Sequence, residues 1–170
     1  KYERGRVLIV AGSDKYRGAS FLALKGAIAS GVGSIQAALP RTIADNLWQV
    51  APEVVVSGVL DSSSKGAASL AEFFKDLCLE RIDALLLGPG LGYCDGSWDD
   101  ISEQLQAFKG LLVLDADGIN RLAFSREGWQ WLKKRVGSTW ITPHKKEFLR
   151  LFPHLQNSEP LEAAKNAAQS

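Results

Sequence analysis

Short apolar runs alternate with longer amphipathic stretches along the whole chain. Residues 7–11, 34–39, 53–59, 82–87, 111–114 and 139–142 form six runs, each too short for a helix and bounded by glycine, proline or polar residues. That is the pattern of strands buried on both faces of a parallel sheet. Between and after them, helical spacing predicts helices over 19–30, 41–50, 67–79, 96–107, 118–124 and 129–136, an apolar helix opening at Glu147, and a last one over 161–168. Strands alternating with helices read as an α/β fold with a mainly parallel sheet.

The first helix carries small residues, Ala19, Ala23, Gly26, Ala27 and Ser30, at three- and four-residue spacing. Such a stripe lets a helix lie close to a sheet. Gly31 and Gly33 are its stop signals. Leu70, Phe73, Phe74 and Leu77 mark the core face of the third helix, and the Ser-rich stretch 61–66 ahead of it reads as an exposed loop. Ser97, with Asp99 and Asp100 behind it, reads as the start of the fourth helix. Lys133, Lys134 and Arg135 read as a solvated basic face.

With 170 residues, 46% of them hydrophobic and 23% charged, the chain suits one domain with a sizeable core. A net charge of +1 gives no electrostatic case for binding nucleic acid or a membrane. No run is long or apolar enough to span a bilayer. The two cysteines, Cys78 and Cys94, have neither metal nor redox spacing, and free thiols in a reducing cytoplasm are expected. There is no methionine, so Lys1 is expected to follow a processing event or a cut. No strand follows the last helix, which is unusual for a parallel-sheet unit.

The chemistry gathers where the strands end. Val7–Ala11 leads into Gly12-Ser13-Asp14, residues 84–87 into Gly88-Pro89-Gly90-Leu91-Gly92, residues 111–114 into Asp115-Ala116-Asp117-Gly118-Ile119-Asn120, and residues 139–141 into Thr142-Pro143-His144. In a parallel sheet these turns share one edge, and open α/β sheets bind ligands outside the carboxyl ends of their strands. Loop 12–18 meets a helix N-terminus, which suits an anion, but it serves equally as a tight turn. It is no P-loop, for no Gly-Lys-Ser/Thr follows, and it lacks the Gly-x-Gly-x-x-Gly of a dinucleotide dehydrogenase. Three glycines around Pro89 leave backbone N–H groups open to close approach. Asp117 reads either as an N-cap of the helix behind it or as a ligand. Asp115, at the strand end, is harder to explain as a cap. A lone histidine after a strand is most often structural; three neighbouring loops on the same edge bring His144 toward a ligand role, whereas His154 has no such company.

Four motifs in order resemble those of the ADP/ATP-dependent NAD(P)H-hydrate dehydratases, ribokinase-like proteins also described as carbohydrate kinases. They are Val10-Ala11-Gly12-Ser13 with Tyr16-Arg17-Gly18-Ala19; Leu87-Gly88-Pro89-Gly90-Leu91-Gly92; Leu114-Asp115-Ala116-Asp117-Gly118-Ile119-Asn120; and Ile141-Thr142-Pro143-His144 with Glu147-Phe148. The resemblance implies a three-layer α/β/α ribokinase-like fold. It implies a repair lyase that phosphorylates hydrated NADH or NADPH from ADP or ATP with Mg²⁺, then eliminates phosphate. It places Ala19, Gly90, Gly92 and His144 on the hydrated dinucleotide, and Asp115 and Asn120 near nucleotide phosphate or Mg²⁺. It further implies a homo-oligomer and a fused or separate NAD(P)H-hydrate epimerase as partner.

The sequence also departs from the family pattern. Lys145-Lys146 stands where Pro-Gly usually follows the histidine. A phosphate-holding Lys-Gly segment and a Gly-Thr-Gly-Asp loop, whose aspartate is the family's expected base, do not occur. The catalytic base is therefore unassigned. The chain is expected to be the N-terminal two-thirds of such a domain, its C-terminal part missing, and inactive alone. A small-metabolite kinase of the same superfamily, acting on a pyrimidine or thiazole alcohol, and a non-catalytic dinucleotide-binding remnant are the rival readings.

Overall fold

A computed structural model describes residues 2–63, 66–67, 70–92 and 97–170. Six parallel strands make its sheet: β1 (Arg6–Val10), β2 (Ser34–Pro40), β3 (Val54–Leu60), β6 (Ala84–Leu87), β7 (Leu111–Leu114) and β8 (Thr139–Ile141), in the order β3-β2-β1-β6-β7-β8. Every predicted strand is present, within two residues at each end. β4 (Ser62–Ser63) and β5 (Gly66–Ala67) form a separate antiparallel ribbon. The helices are α1 (Arg17–Ala29), α2 (Arg41–Ala44), α3 (Ala71–Lys75), α4 (Ser102–Ala107), α5 (Asp117–Phe124), α6 (Lys145–Leu151) and α7 (Pro160–Gln169).

Strict alternation along the strands builds two cores. Leu8, Val10, Leu85, Leu87, Leu112 and Leu114 face one cluster, which α3 to α6 cover with Phe74, Leu105, Ile119, Leu122 and Leu151. Ile9, Ala11, Ile35, Ala37 and Leu39 face the other, which α1 covers with Leu24. At about 25 cal/mol per Å² of apolar surface removed from water, these two layers dominate the stability of the sheet. The cover runs out across one register row. Ile9, Leu86, Val113 and Trp140 are successive cross-strand neighbours, yet Ile9 is 1% exposed and Trp140 63%.

The structure corrects several expectations. Where a loop was expected over 61–66, Ser62–Ser63 pairs with Gly66–Ala67 as the β4–β5 ribbon; residues 64 and 65 lie outside the described residues. Of the helix expected over 67–79, the described residues show α3, and a 3-10 turn at Leu79–Arg81 follows; residues 68 and 69 lie outside the described residues. Its aromatics explain the shortness. Phe74 is buried and the Phe73 ring closes against Gly58 of β3, so two anchors hold the segment without a longer helix. In α1, Ser20 and Leu24 are buried and Ala23 and Ala27 pack on the core, whereas Gly26 and Ser30 are exposed. The small-residue stripe is thus only partly the sheet-facing one. Gly31 does end α1, at φ 73°.

The helices expected over 41–50, 96–107 and 129–136 break into shorter pieces. α2 gives way to a 3-10 turn at Leu47–Gln49, and Gln130–Lys134 is a 3-10 turn throughout. Gly96, like Cys94, lies outside the described residues. Ser97 Oγ accepts the Asp99 N–H at 3.2 Å just ahead of a 3-10 turn that starts at Asp99, and α4 begins only at Ser102. Arg135 is not part of a solvated face. Its guanidinium donates to Leu105 O, to Gly110 O at 2.9 Å and to Thr139 Oγ1 at 2.8 Å, and burial pushes its pKa down to about 10. It ties α4 to the start of β7 and β8.

Candidate functional site

Strand order reverses between β1 and β6, and the loops after these two strands meet at the carboxyl edge of the sheet. Such a switch point is where open α/β folds hold ligands. Gly12 donates its N–H to Pro89 O at 2.8 Å, and buried Ser13 donates its hydroxyl to Gly90 O at 2.8 Å. The first and second motifs are therefore one unit. Gly90, at φ 66°, has no room for a side chain: a Cβ there would sit 2.6 Å from Ala19 Cβ and 2.9 Å from Tyr16 O. Ala19 is small for the same reason, since the first turn of α1 closes on the glycine loop.

The third motif locks to the second from the other side. Asp115 N–H donates to Leu87 O at 3.1 Å, and Gly118 N–H closes a turn onto Asp115 O at 2.9 Å. A Cβ on Gly88 would strike Asp115 O and Gly118, so close packing of these backbones requires glycine. Ala116 inside the turn adopts φ 48°, ψ −113°, a region that side-chain-bearing residues avoid. Asp117 is not the N-cap of α5 but its first residue. It accepts Gly92 N–H at 2.8 Å on one oxygen and the Asn120 amide at 3.2 Å on the other. Asn120 in turn accepts from the Arg150 guanidinium of α6.

The fourth motif completes the edge. Thr142 donates its hydroxyl to Asp115 Oδ1 at 2.7 Å. His144 caps α6 reciprocally: its Nδ1 accepts Lys146 N–H at 3.1 Å and Glu147 N–H at 3.4 Å, while its own N–H donates to Glu147 Oε2 at 2.9 Å. This is the capping-box arrangement with histidine in the place of serine or threonine.

The four motifs thus lie together along one edge, joined in pairs by hydrogen bonds. Ala19, Gly90 and Gly92 stand on the side of the first two loops; Asp115, Asn120 and His144 stand on the side of the last two. His154 lies away from them, edge-on to Phe152 with ring centroids 6.4 Å apart. Sequence reasoning missed Asp117 as the clamp on Gly92, Thr142 as the partner of Asp115, and Arg150. Their only signal was a polar side chain, within the motif for Asp117 and Thr142 and just past it for Arg150. Among the described residues no cluster of three or more His, Cys, Asp or Glu side chains is built to hold a metal. Asp115 nevertheless has one carboxylate oxygen beyond the one engaged by Thr142. One or two carboxylates with phosphate oxygens and water are what Mg²⁺ requires, so the donor set fits.

Comparison with known proteins agrees with this arrangement. The profile of the NAD(P)H-hydrate dehydratase family matches residues 7–170. The bifunctional NAD(P)H-hydrate repair enzyme Nnr of Synechocystis sp. is 39% identical over 99% of this chain, and that of Gloeobacter violaceus is 37% identical over 99%. The chain spans 30% and 31% of the length of these two relatives. Among solved structures, ADP/ATP-dependent NAD(P)H-hydrate dehydratase from Bacillus subtilis, co-crystallised with ATP and Mg²⁺, superposes with a TM-score of 0.67 at 25% identity, covering 99% of this chain and 57% of that one. A ribokinase-like superfamily protein from Enterococcus faecalis has a TM-score of 0.70 at 23% identity, over 96% of this chain and 53% of that one, and shows the shared fold. With its four loops joined at the sheet edge and its profile matched from Val7 to Ser170, the chain belongs to the NAD(P)H-hydrate dehydratase family.

Proposed function

We propose that residues 1–170 are the N-terminal two-thirds of a domain that dehydrates hydrated NADH and NADPH, with ADP or ATP as phosphoryl donor. The family match over 7–170 carries this reading, and the bonded loops at the sheet edge support it. Exposure of Trp140, at the end of a row whose other end is buried, supports a larger layer over that face.

In the proposed reaction the terminal phosphoryl group passes to the hydroxyl oxygen of the hydrated ring, and the hydroxyl proton leaves to a base. The C–O bond then breaks, phosphate departs and a ring proton is lost, which restores the double bond. Such chemistry depends on positioning and charge neutralisation. Gly90 and Gly92, with the small Ala19, give the dinucleotide a wall free of large side chains, and His144 gives it a hydrogen-bonding group. Asp115 would hold Mg²⁺, which neutralises phosphate charge when bound. Asn120 serves the phosphate side through the Asp117–Arg150 network. The family's Gly-Thr-Gly-Asp base has no counterpart in residues 1–170.

The relatives named bifunctional support an epimerase partner, fused or separate. Exposed Val55, Val56 and Val59 on the edge strand β3 support self-association. No helix among the described residues is long and apolar enough to cross a membrane. The test is to incubate the full-length protein, carrying the whole proposed domain, with hydrated NADPH, ADP and Mg²⁺ and follow the return of reduced-nicotinamide absorbance. A pyrimidine alcohol with ATP is run in parallel. Recovery of NADPH supports the dehydratase, and binding without turnover supports a binding remnant. Phosphorylation of the alcohol alone overturns both in favour of a kinase.

A further inference from the structure

Two observations at the start of α6 bear on what His144 offers a ligand. Its side chain is 64% exposed while that of Glu147, three residues on, is 8% exposed. The ring's Nδ1 faces two backbone N–H donors, those of Lys146 and Glu147. A nitrogen facing two donors must accept, so the neutral ring carries its proton on Nε2. Glu147 reinforces this from both ends. Its Oε2 accepts the His144 backbone N–H at 2.9 Å, which fixes the residue at the helix cap. Its Oε1 lies 3.3 Å from Nε2, the position where a carboxylate favours a proton. Beyond this contact Nε2 has no partner among the described residues, and the ring, 64% exposed, presents that edge outward at the ligand edge.

We propose that Glu147 is a positioning residue that fixes His144 as a single Nε2–H donor, and that the ligand atom it serves is a neutral acceptor oxygen rather than a phosphate. The second half follows from charge. A carboxylate 3.3 Å from Nε2 opposes an anion there and tolerates a carbonyl or hydroxyl. On a hydrated nicotinamide dinucleotide, the carboxamide and the ring hydroxyl have that chemistry. This assignment rests on the dehydratase reading for the identity of the ligand; the tautomer does not.

The test uses ring ¹⁵N–¹H correlation spectra. The chain has two histidines, and H154Q assigns the pair. In the neutral ring His144 is expected to show a protonated Nε2 and a bare Nδ1. E147Q keeps an acceptor for the His144 N–H and should keep that pattern. E147A should average the two tautomers and weaken hydrated NADPH by about tenfold, the worth of one hydrogen bond. Thermal denaturation of both variants separates loss of the cap from loss of the fold. On titration, hydrated NADPH should shift Nε2, and inorganic phosphate should not. An Nδ1–H ring in the wild type, an E147Q spectrum like that of folded E147A, or a shift with phosphate alone would overturn the proposal. If the wild type holds the Nε2–H form and hydrated NADPH fails to bind at all, the dehydratase reading falls and the tautomer assignment stands.

Discussion

Asp117 Oδ2 accepts the backbone N–H of Gly92 at 2.8 Å, across 25 residues of chain. This one bond ties the end of the glycine-rich loop to the first turn of α5. Through Asn120 and Arg150 it reaches α6 as well. The ligand edge is therefore braced by a carboxylate that binds protein instead of ligand.

Removing that brace should loosen the loop. Asp117→Ala is expected to lower stability by about 1.5–3 kcal/mol, the range for a hydrogen bond to a charged group. Chemical denaturation measures the loss, and hydrogen exchange at the Gly92 amide shows where it falls. An unchanged exchange rate would mean that the loop is held by the Ser13–Gly90 bond instead.

Ala116 offers the opposite experiment. At φ 48° and ψ −113° it occupies a region where glycine is at ease. Strain of this kind is worth about 1–3 kcal/mol, against about 0.5–1 kcal/mol for the added freedom of glycine in the unfolded chain. Ala116→Gly should therefore stabilise the protein by about 1 kcal/mol, read as a rise in the urea midpoint with an unchanged slope.

Gly90→Ala tests the packing of the glycine-rich loop, the proposed wall of the dinucleotide site. The new methyl group would stand 2.6 Å from Ala19 Cβ and 2.9 Å from Tyr16 Cβ, at a backbone φ of 66°. A loss of about 2–3 kcal/mol is expected from overpacking together with strain. Any folded fraction should bind the dinucleotide less well, because the loop must move away from α1 to make room.

The pair Arg6–Asp83 predicts a pH dependence. The Arg6 guanidinium bonds the Asp83 carboxylate at 3.0 Å and holds its pKa below the usual 3.8, helped by the Arg6 backbone N–H and opposed by burial. A lowered folded value means that the stabilisation is complete above the unfolded value of about 3.9 and is lost as pH falls through the folded one. Both side chains are partly exposed, so Asp83→Asn should cost at most about 1 kcal/mol near neutral pH. The difference between variant and wild type should vanish in strong acid.

The sheet and its ligand edge were legible in the chain because short apolar runs ending in Gly, Asp or His are local signals. Residues 111–114 followed by Asp115 required nothing from the rest of the molecule to be read as strand and turn. Helix lengths were not legible in the same way. α3 is five residues long because Phe73 meets Gly58 and Phe74 is buried, and those partners belong to distant segments. Arg135 appeared solvated beside Lys133 and Lys134 because its carbonyl partners, Leu105 and Gly110, lie in other elements.

Which residues stand at the ligand edge thus follows from strand polarity and the order of motifs, both properties of the linear chain. What each of those residues touches does not. Asp117 turned to Gly92, Thr142 to Asp115, and His144 to its own helix cap. Hydrogen bonds act over about 3 Å, and which donor comes within that distance of which acceptor is set by how the loops pack.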